Sequence, residues 1–233
     1  QPEFAGARFH SGVVHWRKGA LEKAIAELQA AARLRPEHGE TYYYLGRALE
    51  ENGVSAAAIR SLQTAVELRP DHADAHNRLG LLWQQSGKAG KAQAAFERVL
   101  ELEPENAGAH NNLGLALVQQ GDADAAIETF HAAIRLRPDD TGFRNNLGIA
   151  FLQKSDFDAA MAEYRAALEL APQDAQLHYN LGLALKLKDQ LPEAIAEFER
   201  ALEADPGLFD AHYTLGVILW QQGEFGRAAA KLR

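Results

Sequence analysis

Glycine and proline recur along this chain at a fixed spacing of 34 residues. No insertion breaks the register of the glycines, which are Gly12, Gly46, Gly80, Gly114, Gly148, Gly182 and Gly216. The prolines keep the same register: Pro36, Pro70, Pro104, Pro138, Pro172 and Pro206. A strict period of about 20 to 50 residues indicates a repeat architecture, in which each unit packs against its sequence neighbours. The fold must therefore be built from copies of one small supersecondary unit.

When the recurring glycine is taken as position 8, the chain divides into a leader, six full units and a shortened seventh. The leader is 1–4, and the units are 5–38, 39–72, 73–106, 107–140, 141–174, 175–208 and 209–233. The first unit diverges, with Ser11 and His15 where the others carry large apolar residues, as expected of a terminal unit. Because the last unit stops within its second helix, we expect that the parent chain continues or that this end packs against a neighbour.

Each unit has the pattern of two amphipathic helices joined by a short turn. Large apolar residues at positions 7 and 11 predict the buried stripe of a first helix, helix A. The turn after helix A has glycine at position 15 in five units, and Ser155 and Asp189 replace it in the other two. The proline at position 32 ends the second helix, helix B. Small residues at positions 8 and 20 let the helices approach closely. A large residue at position 24 fills the adjoining space: Leu28, Leu62, Phe96, Phe130, Tyr164, Phe198 and Leu232.

Small residues at positions 8 and 20, a large residue at 24 and proline at 32 together resemble the tetratricopeptide-repeat family over residues 5–233. The resemblance implies an all-α fold, a right-handed α-solenoid or superhelix of stacked helix-turn-helix units. It also implies that helix A lines a concave groove, with positions 2, 5, 6, 9, 12 and 13 facing a bound polypeptide.

Asparagine recurs at groove positions 5 and 6. Because an amide has both donors and an acceptor, a regular row of asparagines can bond to the backbone of an extended peptide whatever its sequence. The run resembles the asparagine ladder of the family's O-linked N-acetylglucosamine transferase members, and the alternative is that the amides bond to each other or to water. The candidate peptide-binding residues at these positions are Asn77, Arg78, Asn111, Asn112, Asn145, Asn146 and Asn180.

Tyrosines form the second group of candidate peptide-binding residues. A tyrosine has a flat apolar body and a polar tip, which suits it to interfaces. Tyr42 lies at position 4 and is predicted to pack in the core instead. The tyrosines predicted to face the groove are Tyr43, Tyr44, Tyr179 and Tyr213.

Several kinds of ligand do not fit the sequence. Many family members bind acidic heat-shock protein tails through a carboxylate clamp, but this chain has no lysine at position 5 and no asparagine at position 9. The net charge of -8 argues against nucleic acid, which needs clustered cationic charge. No apolar run approaches the roughly 18 residues that span a bilayer. We therefore expect neither nucleic acid nor a membrane as the partner.

Metal and catalytic sites are not predicted either. Without cysteine there are no disulfides, thiolate metal sites or cysteine nucleophiles, and the compartment stays open. His72 and His76, with Asp71 and Asp74, have the spacing of a metal pair but no fixed third ligand, so we interpret them as adventitious. No motif for a nucleophile, a phosphate loop or a zinc protease is present, and we expect no cofactor and no enzyme activity.

Three functional hypotheses follow. The first is a protein-interaction scaffold or adaptor that binds a peptide or partner segment in the groove. The second is a structural module that assembles into homo-oligomers through its open solenoid ends. The third is the substrate-recruiting arm of a larger enzyme, such as a glycosyltransferase.

Overall fold

A computed structural model describes residues 2–232, with side chains from residue 4 onward. These residues form helices joined by short turns, and no β-strand occurs among them. The chain divides into two compact units of several repeats each, called unit 1 (Gln1–Ala116) and unit 2 (Leu117–Arg233). Among the described residues, none of the helices combines the length and the apolar character that crossing a bilayer requires.

The helices come in consecutive pairs. Those before residue 116 are α1 (Pro2–Arg17), α2 (Leu21–Leu34), α3 (Gly39–Glu51), α4 (Ser55–Leu68), α5 (Ala73–Gln85) and α6 (Ala89–Leu102), and α7 is Ala107–Gln120. The remaining helices are α8 (Ala123–Leu136), α9 (Thr141–Gln153), α10 (Phe157–Leu170), α11 (Ala175–Leu187), α12 (Leu191–Ala204), α13 (Phe209–Gln221) and α14 (Phe225–Lys231).

Within each compact unit, the helices pack as hairpins that stack on their neighbours. In unit 1, α1 lies against α2, α3 against α4 and α5 against α6, while α2 contacts α3 and α4 contacts α5. Unit 2 repeats the scheme from α8 to α14. The prediction of an all-α solenoid of stacked helix-turn-helix units is confirmed within each unit. Helices α3, α5, α7, α9, α11 and α13 begin at the first residue of a predicted repeat, and residues 2–4 of the predicted leader lie in α1.

Where a hairpin lies within one compact unit, its crossing brings a glycine against a large side chain. A Cβ atom added to Gly182 would lie 2.7 Å from Cε1 of the Phe198 ring. The alanines at position 20 are fully buried beside these pairs, for example Ala160 and Ala194. This close approach lets the large residue at position 24 fill the space between the two helices.

The turns explain how the repeat keeps its register without glycine everywhere. At position 15 the backbone takes the left-handed conformation in Gly19, Gly53, Gly87, Gly121 and Gly223. Ser155 adopts the same region with φ 59° and Asp189 with φ 61°. The left-handed conformation costs little for glycine and more for other residues, so the surrounding hairpin imposes it at these two positions.

Candidate functional site

The predicted asparagine row forms hydrogen bonds between successive repeats. Asn112 Nδ2 donates to Asn77 Oδ1 at 3.2 Å in unit 1, and Asn180 Nδ2 donates to Asn145 Oδ1 at 2.6 Å in unit 2. In both pairs, the asparagine at position 6 of one repeat reaches the asparagine at position 5 of the repeat before it. The amides therefore bond to each other in these pairs, as in the alternative weighed from the sequence.

The asparagines differ in exposure. Asn180 is only 8% exposed, and its Oδ1 also accepts from Nε2 of Gln176 at 3.0 Å. Asn77, Asn112 and Asn145 are half-buried, as are Asn111 and Asn146. An amide side chain has two N–H donors and an acceptor oxygen with two lone pairs. Each inter-repeat bond uses one donor of one amide and one lone pair of the other.

The four tyrosines occupy different environments. Tyr43 is 7% exposed and belongs to the core of unit 1, where its ring lies 4.4 Å from that of His72. Tyr44 is half-buried between Phe9 and Trp16.

In unit 2, Tyr179 is half-buried against Phe198, with 5.7 Å between ring centroids. Tyr213 is 56% exposed and stacks on Phe209 at 6.2 Å. Of the four tyrosines predicted to face the groove, Tyr213 alone presents most of its surface to solvent.

A polar cluster on α1 and α3 was not singled out from the sequence. The Arg47 guanidinium lies 4.6 Å from the Trp16 ring centroid. Its Nη1 donates to the Tyr43 hydroxyl at 3.1 Å, and its Nη2 lies 3.5 Å from Oε1 of Glu51. Arg47 is the one charged residue at position 9, where the other repeats carry Val, Leu or Ile. That departure from the repeat is the signal that could have revealed the cluster.

Three atoms of this cluster are shielded from water yet have no hydrogen-bond partner among the described residues: Trp16 Nε1, Arg47 Nε and Glu50 Oε2. The other carboxylate oxygen of Glu50, Oε1, lies 3.6 Å from Nη1 of Arg78, a predicted site residue. Burial opposes the charge of Arg47. The Tyr43 hydroxyl and the two neighbouring carboxylates outweigh that burial and raise the pKa of Arg47, so it stays charged.

The recurring histidines at position 4 have one shared role. In each case Nε2 lies within hydrogen-bond distance of the carbonyl oxygen of the proline six residues earlier: His76 to Pro70, His110 to Pro104, His178 to Pro172 and His212 to Pro206. The ring therefore ties helix A to the turn before it. Among the described residues, no group of three His, Asp or Glu side chains is placed to hold a metal ion.

Acidification is expected to destabilise unit 1 partly through His76. Burial is the largest cause that lowers the pKa of His76 below its ordinary value of 6.5; the Pro70 carbonyl opposes it, and the charges of Arg98 and His72 add to it. The unfolded chain then takes up this proton first as the pH falls. The stability contribution is complete above 6.5 and is lost as the pH falls toward the folded pKa.

The variant His76→Gln keeps a donor for the Pro70 carbonyl but does not titrate. It should lose less stability than the wild type when the pH is lowered from about 7.5 to about 5. Denaturant titrations at both pH values measure the difference. An equal loss in the two proteins would contradict this role of His76.

The helical hairpins and their common crossing define a helical-repeat protein. The tetratricopeptide repeat profile matches residues 1–38, 21–59, 43–89, 84–141, 145–209 and 179–233. The chain therefore belongs to the tetratricopeptide-repeat family. No curated protein sequence matches it closely enough to count as a relative.

Solved structures share the fold. The fragment of MamA from Desulfovibrio magneticus RS-1 that runs from residue 41 to the end is 26% identical with a TM-score of 0.69, over 72% of this chain and 96% of that fragment. YrrB, a TPR protein with an unusual peptide-binding site, is 23% identical with a TM-score of 0.64, over 79% of this chain and 95% of YrrB. A tetratricopeptide repeat protein from Parabacteroides merdae ATCC 43184 is 19% identical with a TM-score of 0.83, over 98% of this chain and 91% of that one.

Proposed function

We propose that this protein is an interaction scaffold whose helix A surface binds an extended segment of a partner protein. The observation that carries the proposal is the set of three shielded polar atoms without a partner on Trp16, Arg47 and Glu50. All three residues lie at groove positions, namely 9 or 12 of their repeats. A scaffold of this kind needs no catalytic group.

A peptide main chain supplies the partners that these atoms need. Because these atoms are shielded from water, the side chains must first turn toward the peptide. Its carbonyl can then accept from Trp16 Nε1 or Arg47 Nε, and its N–H can donate to Glu50 Oε2. A shielded polar group without a partner costs about 1 to 3 kcal/mol. A bound peptide removes that cost, so these atoms favour binding of the backbone whatever the side chains are.

Asparagines on helix A of each unit belong to the same proposal. We propose that the donors and lone pairs left by the inter-repeat bonds contact the peptide at Asn77, Asn112 and Asn145, and that Asn111, Asn146 and Asn180 support the row. The likeness of this row to that of O-linked N-acetylglucosamine transferases belongs to the proposal, as does a role as the recruiting arm of such an enzyme. YrrB, which shares the fold, is described as having a peptide-binding site.

Site-specific photo-crosslinking in the host cell tests the proposal. Gln84 lies at position 12 of the third repeat, as Trp16 and Glu50 do in the first and second. A benzophenone amino acid at Gln84 should capture a partner protein. The same probe at Glu97, which is exposed on helix α6, is the matched control and should capture little. Arg47→Ala should reduce the Gln84 product about tenfold, through the loss of a charged hydrogen bond. Equal products from both probes, or from both proteins, would contradict groove binding.

A second candidate function is self-association of copies through the last hairpin. Its aromatic side chains are largely exposed: Phe209, Tyr213, Trp220 and Phe225. Exposed clusters of this kind mark interaction surfaces. Light scattering over a range of protein concentrations separates this candidate from a monomeric adaptor.

A further inference from the structure

A small basic cavity lies within unit 1, between α1, the end of α2 and the start of α3. Its volume is about 170 Å³, below the roughly 300 to 1,000 Å³ of pockets that take whole small molecules. Arg35, His38 and His10 line it, and no carboxylate does so in the part of the chain that the structure describes. The cavity has room for one side-chain-sized group and carries the charge that favours an anion.

The equivalent place one repeat later shows what such a cavity binds. There Glu40 projects from α3, and its Oε2 lies 2.5 Å from Nη1 of Arg69. The same oxygen lies 3.6 Å from Nε2 of His72. A carboxylate on helix A is thus bound by the arginine at position 31 and faces the histidine at position 34.

One repeat of 34 residues earlier, the same three positions are Gly6, Arg35 and His38. The aromatic ring beside the histidine is repeated as well. Phe9 lies 5.1 Å from His38, as Tyr43 lies 4.4 Å from the histidine of the later repeat. The arginine, the histidine and the ring are all present in the first repeat, and the glycine supplies no carboxylate.

The guanidinium of Arg35 is not neutralised by a carboxylate in the cavity lining. Arg35 Nε is 3.9 Å from Oε1 of Glu37, a side chain that is 72% exposed. Such surface pairs contribute little. His38 bonds through Nδ1 to Thr41 Oγ1 at 2.7 Å. Nε2 of His38 therefore corresponds to Nε2 of His72, the nitrogen that faces Glu40 in the later repeat.

We propose that this cavity binds the side-chain carboxylate of an aspartate or glutamate from a partner polypeptide, in the way that Arg69 binds Glu40. The claim that this carboxylate comes from a partner polypeptide rests on the proposed scaffold function. Positions 31 and 34 are not those of the family's carboxylate clamp, so this is a separate site. It gives the scaffold a preference for partners with an acidic residue at the first repeat.

A stability cycle tests the site without any partner. An added Cβ at Gly6 meets no heavy atom within 4 Å, so Gly6→Glu can place a carboxylate in the cavity. Gly6→Gln is the matched control for size and helix propensity. Gly6→Glu should melt about 2 °C above Gly6→Gln, and the difference should vanish when Arg35→Gln is added. Equal melting of the two variants in the wild-type background would overturn the proposal.

A peptide titration tests binding directly. The side-chain NMR signal of His38 should shift and saturate with acetyl-Gly-Glu-Gly-amide and not with its glutamine counterpart. Arg35→Gln should weaken this response about tenfold, as expected for loss of a charged hydrogen bond. Arg33→Gln removes the same charge from an exposed position of α2 and should change nothing. Equal shifts with both peptides, or an unaltered response in Arg35→Gln, would overturn the site.

The two proposals can fail separately. If neither test finds a carboxylate effect while Gln84 still captures a partner, the cavity proposal is overturned and the scaffold function stands. If His38 responds to the glutamate peptide but Gln84 captures nothing, the site is supported and groove binding is contradicted.

Discussion

Replacing Gly148 with leucine is expected to lower the free energy of unfolding by about 1 to 3 kcal/mol. A Cβ at this position would lie 2.5 Å from Cε1 of Tyr164 and 2.7 Å from its Cζ. The Tyr164 ring is fully buried, so it has no solvent-filled space into which it can move. Helices α9 and α10 would have to separate, and their shared contacts would weaken. Denaturant unfolding followed by circular dichroism measures the loss.

Gly142 provides the control on the same helix. A Cβ added there meets Oδ1 of Asp140 at 3.2 Å and no closer heavy atom among the described residues. Alanine favours a helix over glycine by about 1 kcal/mol, so Gly142→Ala should keep or raise the stability. If Gly148→Leu unfolds at the same denaturant concentration as the wild type, the hairpin crossing is not set by this pair.

The hairpin fold could be predicted from the sequence because its packing is local and repeated. The glycine at position 8 and the large residue at position 24 are 16 residues apart in every repeat. They meet wherever both lie in the same compact unit, as Gly12 and Leu28 do. A packing pattern that recurs in several repeats predicts the fold more reliably than one that occurs once. The register even identifies Ser155 and Asp189 as turn residues, although neither is glycine.

The surface was less predictable, because groove positions do not fix exposure. Tyr43 lies at a groove position but is buried, since His72 from the next turn packs on its ring. The sequence identified the asparagines but did not decide their partners. The bond from Asn112 to Asn77 spans 35 residues, one repeat plus one position, and the stacking of neighbouring helices determines it.

Two features needed the three-dimensional arrangement. The cluster of Trp16, Arg47 and Glu50 draws on separate helices, and only their packing shows which polar atoms lack partners. Likewise, the sequence shows that Gly6 and Glu40 occupy the same position in successive repeats. Only the structure shows that Glu40 pairs with Arg69, and therefore that the first repeat lacks the carboxylate of this pair.

Phe198→Ala is expected to have the largest effect, a loss of about 3 to 5 kcal/mol in the free energy of unfolding. The ring is fully buried and lies against the backbone of Gly182, where α11 crosses α12. Glycine has no side chain to move into the cavity that alanine leaves. As a control in the same hairpin, Leu187→Ala truncates a side chain that is 56% exposed and should change stability by less than about 0.5 kcal/mol.

The position of this loss along the chain is as informative as its size. Because repeats contact their neighbours, stability in a solenoid is a sum of local terms and nearest-neighbour interfaces. Hydrogen exchange should therefore show Phe198→Ala releasing the amides of α11 and α12 first, while those of α1 to α4 keep their protection. An even loss of protection over residues 2–232 would contradict local coupling. Local loss would mean that unit 2 can be destabilised while the helices of unit 1 stay folded, so that the groove positions of unit 1 can still be tested.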